Sequence, residues 1–515
     1  MLFITVGIIV ILILIYYYGT RTFNYWSKRG VKHDPPIPFF GTAKRQFLQQ
    51  ISYADIYDEM YWKYPKERFV GYYLTTTPLL ILRDPELVKR VLVTDFSYFY
   101  SRSVHPLDEV PEPLLNNIFS CEGDLWKLLR QRLTPAFTSG KLKAMFPLIV
   151  SRAEKLQLLA ADAASSGTEV DIRDIMARYT TDFIGACGFG IDTDTLNDEN
   201  SLFRKLGKRI FANTKRDAFV SVLKYFLPSL FSGLHFAPPW VEKNVISLVK
   251  TIMTRRDYKP TGRNDFIDML LELKAKGKLT GDSLKNKNPD GSPCITEIEF
   301  DDALMAAQVF VFFAAGFETS SSATSYTLHE LAHHPECQRE CQEEIDEVLA
   351  RHGNKLSYEA VKEMKYLEMC FSEGMRIFPS LGYLMRKCEK PYTIPDTNIT
   401  IDKGVKVIIP VKSLHADPLY WDKPEEFRPE RFHPDNVSRI NNHVYLPFGE
   451  GPRACIGERL GHMQSLAGMA ALLSRFSVSP SGSTIRRPPV NPSDTVVQSI
   501  QGGIPLSLVA RKKLL

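Results

Sequence analysis

The most one-sided stretch of the chain is its start. Residues 2–18 read LFITVGIIVILILIYYY and carry no charge. Wound as a helix at about 1.5 Å per residue, the run is about 26 Å long, just short of a bilayer's hydrocarbon core. Tyr16, Tyr17 and Tyr18 close it where an interfacial aromatic belt would stand. Nothing basic precedes it, as it would in a secretory signal, and the first basic residues, Arg21, Lys28, Arg29 and Lys32, come after it. The pattern predicts an uncleaved signal anchor over 2–18, with the N-terminus lumenal and the remaining chain cytosolic. A cleaved signal peptide is the alternative.

The next segment, 19–41, is basic and ends in Pro35-Pro36-Ile37-Pro38, which predicts a short stiff linker. The body, 42–515, reads as mostly helical. Thr296-Glu297-Ile298-Glu299 fits a capping box, and helical character then runs to about His333, where Pro335 stops it. The centre of that helix, Val309 to Phe317, is apolar nearly all round and is expected to be buried. Gly316-Phe317-Glu318-Thr319 therefore places glycine and polar groups where packing alone wants neither. The stretch 280–295 reads as a loop and as the best break in the body. Strands are few: 405–409 is one, and the tail around Gly502-Gly503 reads as a hairpin. The length alone favours two domains, but no linker or internal repeat marks a split.

Composition narrows the class without naming a function. With 44% hydrophobic and 24% charged residues, the chain is neither disordered, collagen-like nor a multi-span membrane protein. A net charge of +5 is too small to argue for nucleic acid. The eight cysteines, Cys121, Cys187, Cys294, Cys337, Cys341, Cys370, Cys388 and Cys455, form no CxxC pair, which fits reduced cytosolic thiols. The sequons at Asn398 and Asn436 would then stay unmodified.

Four local patterns bear on chemistry. His329-Glu330-Leu331-Ala332-His333 matches the zinc-protease HExxH, but Pro335 follows at once and no third histidine extends it, so a solvated helix end is expected. Gly449-Glu450-Gly451-Pro452-Arg453-Ala454 fits GxGxxG/A on paper, yet it holds a proline and no acid follows about 20 residues on. Cys455 lies between Phe448-Gly449-Glu450-Gly451 and Gly457, just before a helical stretch. Flanking glycines admit close backbone approach, and Arg453 and a helix N-terminus favour a thiolate, leaving nucleophile or metal ligand open. Glu373 and Arg376 share a helix face amid apolar neighbours, which predicts a buried pair.

Together these patterns are familiar. Phe448-x-x-Gly451-x-Arg453-x-Cys455-x-Gly457 resembles the haem-binding signature of the cytochrome P-450 superfamily. Glu373-x-x-Arg376 resembles its helix-K pair, and Phe427-Arg428-Pro429-Glu430-Arg431-Phe432 the segment that completes that triad. Ala315-Gly316-Phe317-Glu318-Thr319 resembles its oxygen-activating groove, and Trp126-x-x-x-Arg130 its helix-C motif. All five occur in the family's order and span the chain, and the details look most like insect microsomal detoxifying members.

The resemblance implies a mainly α fold with small β-sheets, as one large haem-enclosing domain (42–515) behind the anchor and linker. It implies a monooxygenase that inserts one atom of O2 into a lipophilic substrate, using NADPH electrons from a reductase, with cytochrome b5 as a second donor. Haem b (iron protoporphyrin IX) would take Cys455 as axial iron ligand, with Phe448, Gly451 and Gly457 shaping the loop. Trp126, Arg130, Arg386 and Arg453 would meet the haem propionates. Glu373, Arg376 and Arg431 would be structural. Thr319 and Glu318 would handle protons, with Ala315 and Gly316 leaving space for dioxygen. Substrate contacts would come from 103–119, Phe310, Phe313, Ala314, 381–384 and 496–500. Lys127, Arg132, Lys141 and Lys143 would be basic contacts for the reductase. The enzyme would sit on the cytosolic face of the endoplasmic reticulum and serve xenobiotic metabolism. A haem-thiolate isomerase and, more remotely, a zinc metalloprotease through 329–333 are the alternatives.

Overall fold

The apolar run forms helix α1 (Leu2–Thr20), with its large side chains exposed from Phe3 to Tyr18. It is long and apolar enough to cross a membrane. The computed structural model describes residues 2–105, 112–190, 202–211, 214–227, 229–236, 238–263, 265–440 and 443–512. The segment 19–41 is more than a linker. Trp26 is fully buried, its ring fills the space over Gly71, and its Nε1 donates to Tyr72 O at 3.1 Å. A large aromatic among basic residues still seeks cover, and here the first sheet supplies it.

That sheet begins with β1 (Phe69–Leu74) and β2 (Thr77–Leu82), paired antiparallel. Two helices that shape the site follow, α2 (Gly123–Leu133) and α3 (Ile172–Ile184). The stretch expected as a loop at 280–295 is instead a hairpin of β3 (Lys278–Lys287) and β4 (Pro293–Glu299). Exposure alternates along β4 with a period of two, so Thr296 is a strand residue and caps nothing. The hairpin is fastened to α2, where Asp124 accepts from Ser283 Oγ at 2.7 Å and from Leu284 N at 2.6 Å.

The long helix α4 (Asp302–His333) starts five residues later than the capping box suggested. Its cap is Asp301, which accepts from Leu304 N at 2.7 Å. Of the centre expected to be buried, Val309, Phe313 and Phe317 are buried while Ala315 is exposed; the full burial falls later, over 320–332. It packs closely on α3, where Thr180 Oγ1 donates to Phe317 O at 3.1 Å. It also packs on α5 (Lys365–Ile377), where a Cβ on Gly374 would meet Thr327 Oγ1 at 2.2 Å.

Strands β5 (Leu384–Lys387) and β6 (Lys406–Ile409) complete the first sheet in the order β1-β2-β6-β5. Helix α6 (Glu458–Leu473) then leads to β7 (Phe476–Pro480) and β8 (Pro505–Ala510), which pair antiparallel. Gly502 and Gly503, at φ 84° and 80°, make the turn into β8, but β8 pairs with β7 and not with the residues just before the turn. The architecture is mainly α with small sheets.

The HExxH segment is the clearest departure. His329 and Glu330 are buried, not solvated. Both Glu330 oxygens accept from the Arg486 guanidinium at 2.8 Å, and His329 Nε2 lies 3.0 Å from Arg486 O. The tail returns over the end of α4 and covers it. Glu330 is thus committed to an ion pair, and among the described residues no group of His, Cys, Asp and Glu could hold a metal ion.

Candidate active site

The loop before α6 is shaped by two left-handed glycines. Gly449 and Gly451 have φ of 69° and 74°, and a Cβ on Gly451 would stand 2.0 Å from Leu92 O. Only glycine fits there. The loop closes when Cys455 N donates to Phe448 O at 2.9 Å. Cys455 is exposed in the protein alone, although the chain on either side of it enters the core. Although its surface is open, the protein packed around it desolvates the thiol and raises it above its usual range, while the Gly457 N–H, Arg102 and Arg130 act the other way.

Four guanidiniums converge beside this loop. Arg130 Nη1 on α2 donates to Ala454 O at 2.8 Å. Arg453 donates from Nε to Tyr100 O at 2.9 Å and pairs with Glu122 at 2.6 Å, with its guanidinium 4.0 Å from the centre of the Trp126 ring. Arg386 on β5 is 2% exposed and donates from Nη1 to Met385 O, but its buried Nε has no partner. The fourth, Arg102, was not foreseen. Its Nη2 donates to Arg453 O at 2.7 Å and its Nη1 to Phe119 O at 3.0 Å. Burial lowers Arg386 well below its ordinary value, and the charges of Arg102 and Arg453 lower it further. Arg102 is pulled down to about 9, by burial first and then by Arg453. Three arginines so close together, with Glu122 as the carboxylate among them, form a site short of negative charge. Ser101-Arg102-Ser103 carries no pattern that could have flagged it.

The predicted triad is formed. Arg376 Nε and Nη2 donate to the two oxygens of Glu373 at 2.7 and 2.8 Å, and both residues are at most 1% exposed. Glu373 Oε1 also accepts from Arg428 N at 3.0 Å and from Arg431 Nε at 3.2 Å. Arg376 Nη1 donates to His415 O at 2.8 Å. The pair therefore has the additional partners that a buried pair needs.

On α4, Ala315 is exposed although Phe313, Phe317 and Glu318 around it are buried. Thr319 Oγ1 donates to Ala315 O at 2.5 Å, and Ser380 Oγ donates to Thr319 O at 2.9 Å. Two contacts to α3 bear on this stretch. A Cβ on Gly316 would meet Ile184 of α3, so its missing side chain lets two helices approach. Glu318 is turned toward α3, where its carboxylate is ion-paired with Arg173.

Of the expected substrate contacts, Phe313 is buried between Phe189 and Phe317, and Ile500 is buried as well. Positions 106–111 of the 103–119 segment lie outside the described residues. Of the expected basic contacts, Lys143 is ion-paired with Glu359 and Arg132 Nη2 donates to Thr280 O at 3.0 Å, while Lys127 is half-buried and Lys141 is exposed.

The guanidiniums fit a ligand with two carboxylates. The orphaned Arg386 Nε asks for an acceptor, and the exposed Cys455 offers a soft donor under the influence of Arg102 and Arg130.

Comparison with known proteins gives the same family as these features. The family described as Cytochrome P450 matches residues 32–504. Cytochrome P450 6B2 of Helicoverpa armigera is 37% identical over 505 residues, covering 98% of this chain and 97% of the relative. Cytochrome P450 6a2 of Drosophila melanogaster is 37% identical over 497 residues, covering 95% of this chain and 96% of the relative.

Proposed function

The chain belongs to the cytochrome P450 family, and from that premise we propose an NADPH-dependent haem-thiolate monooxygenase acting on lipophilic substrates. The family's cofactor is haem, held through a cysteine thiolate, and its general reaction is monooxygenation. Bound haem supplies the activation of dioxygen, and thiolate donation favours O–O cleavage.

Cys455 supplies the thiolate. Arg102, Arg130, Arg386 and Arg453 hold the propionates by charge-assisted bonds, and Trp126 packs over Arg453. The observation that carries this assignment is the buried, unpartnered Arg386 Nε within a cluster of like charge. Glu373, Arg376 and Arg431 fix the protein behind the thiolate loop. Ala315 keeps one face of α4 open, the Thr319 hydroxyl holds a proton beside it, and Glu318 passes protons inward. Phe310, Phe313, Ala314, 381–384 and 496–500 wall an apolar substrate site.

Helix α1 anchors the enzyme on the cytosolic face of the endoplasmic reticulum, with 42–515 as its catalytic domain. There it meets a membrane-bound flavoprotein reductase, with cytochrome b5 as an accessory donor. Lys127, Arg132, Lys141 and Lys143 are the candidate basic contacts for the reductase.

The test is spectroscopic. The reduced protein with carbon monoxide should show the red-shifted Soret band of thiolate haem, and Cys455→Ser should abolish it. A band at the ordinary position in the wild type, or an unchanged one in the variant, would remove Cys455 from the iron.

A further inference from the structure

The backbone of residues 114–121 is folded around one side chain. Asn117 is buried, donates from Nδ2 to Leu114 O at 2.7 Å and accepts at Oδ1 from Phe119 N and Ser120 N, each at 3.0 Å. Cys121 N donates to Asn117 O at 2.8 Å. A loop bonded within itself in this way moves as one body, so its place is set by its outer attachments. At one end Glu112 Oε1 accepts from Lys224 Nζ at 3.0 Å, with both side chains buried. At the other end Arg102 Nη1 donates to Phe119 O at 3.0 Å.

The attachment in the middle comes from α4. Gln308 is fully buried; its Oε1 accepts from Ile118 N at 2.9 Å, and its Nε2 donates to Asn116 O at 3.0 Å and to Leu304 O at 3.1 Å. One amide thus holds an N–H and a C=O two residues apart, which fixes the loop against the helix. Positions 304, 308, 311 and 315 of α4 recur at helical spacing and share one face. Val311 on that stripe is half-buried and Ala315 is exposed. Gln308 and Ala315 are about 10 Å apart along the axis. The loop therefore overhangs the face of α4 on which Ala315 is open, about two turns away.

Building on the reading of 103–119 as substrate-contacting, we propose that Gln308 is a specificity-determining positioning residue. Through Asn116 and Ile118 it holds the loop 114–121 as the end wall of the apolar site, and so sets how long a lipophilic molecule fits between Ala315 and that wall. Without the amide the loop is held only at its two ends, by Lys224 and by Arg102, and its middle yields to a longer ligand. The thiolate loop, the guanidinium cluster and the Thr319 hydroxyl are untouched by this change.

The experiment uses the haem-loaded full chain and a series of N-alkylimidazoles from butyl to dodecyl. The ring nitrogen binds haem iron, the tail must lie in the site, and binding is read from the shift of the Soret band. In the wild type affinity should rise with chain length until the tail meets the loop, and then stop rising. In Gln308→Met, which keeps the volume and loses the hydrogen bonds, that break should move to longer chains, with the short probes binding as before. Hydrogen exchange over 114–121 should be about ten- to thirtyfold faster in this variant, two bonds to the loop being lost. Gln308→Glu keeps the acceptor for Ile118 N but, as a carboxylate, has no donor for Asn116 O, and it should fall between. Should Gln308→Met fail to load haem, Gln308→Glu carries the same test. A merely structural role would weaken all probes alike and leave the break in place. A break or an exchange rate unmoved in the Gln308 variants, while Ile118→Ala moves the break, overturns the inference alone. A break unmoved in all of them, or absent from the wild type, overturns it together with the reading of 103–119.

Discussion

A Cβ built on Gly316 would stand 2.3 Å from Ile184 Cδ1 and 2.9 Å from Ile184 Cγ1. The contact joins the middle of α4 to the end of α3, where the Thr180–Phe317 hydrogen bond also draws the helices together. Gly316→Ala should therefore overpack the interface and cost about 1–3 kcal/mol. Ile184→Val, which removes the clashing methyl, should restore much of that loss in the double variant, a non-additivity read from thermal unfolding of the haem-loaded protein. A Gly316→Ala protein that is fully stable yet poorly coupled would return Gly316 to the dioxygen site.

The Thr319 hydroxyl donates to Ala315 O and so stands on the uncovered face of α4. Thr319→Ala removes the hydroxyl at little cost in packing. Turnover of NADPH should continue while its electrons go to peroxide at the expense of product. Loss of a positioned proton donor typically costs about 10²–10⁴-fold in the step it serves. Thr319→Ser should recover most of the coupling, because it keeps the hydroxyl. Equal peroxide yields from all three proteins would take the hydroxyl out of proton handling.

Much of this site was legible because its chemistry demands particular side chains. A thiolate loop needs Gly451, since Leu92 O lies where a Cβ would be, and Cys455 needs an arginine-rich surround, which Trp126, Arg130 and Arg453 announce at fixed spacings. Arg102 was illegible: it comes from a loop without periodicity, and only the fold brings it to Arg453. The hairpin β3–β4 was missed for a different reason. Its turn residues, Asn288 to Ser292, dominate the local composition, while its apolar face is short because only Leu279 and Ser283 of β3 are buried on α2. Thr296 and Glu299 satisfy a capping box in spacing, but strand pairing with Lys278 to Gly281 overrides it. Burial of His329 and Glu330 also depends on a distant partner, Arg486, which no local pattern reveals.

Glu373 receives four donors from three residues, so each oxygen of this buried carboxylate is satisfied. Removing one partner leaves an uncompensated buried charge. Arg376→Leu or Glu373→Leu should each destabilise by about 3–5 kcal/mol. Glu373→Gln should be milder but still severe, since the amide nitrogen would face a guanidinium. These variants should be recovered with little haem, seen as a low ratio of Soret to protein absorbance. A double Glu373→Leu, Arg376→Leu variant more stable than either single one would identify the pair's partners, not the pair itself, as the larger contribution.

His415 links this triad to the thiolate loop. Leu446 N donates to its Nε2 at 2.8 Å, so the ring is neutral and its Nδ1–H donates to Arg376 O at 3.1 Å. Burial, and then the charge of Arg376, push the imidazolium down to about 3. His105 is likewise held down to about 4, by burial first and then by Lys406 and Lys224. In the unfolded chain a histidine titrates near 6.5, so below that pH the unfolded state takes up protons that the folded state refuses. The stability these rings contribute is complete above about pH 6.5 and is lost as the pH falls toward the folded values. At pH 5 each ring should have cost the protein about 2 kcal/mol relative to neutral pH. His415→Gln keeps an acceptor for Leu446 but cannot titrate. Its denaturation midpoint should start lower than that of the wild type and fall less between pH 6.5 and 5, by about 1.4 kcal/mol per pH unit. Parallel slopes in the two proteins would mean that His415 is already charged in the folded enzyme, with Leu446 N lacking its acceptor.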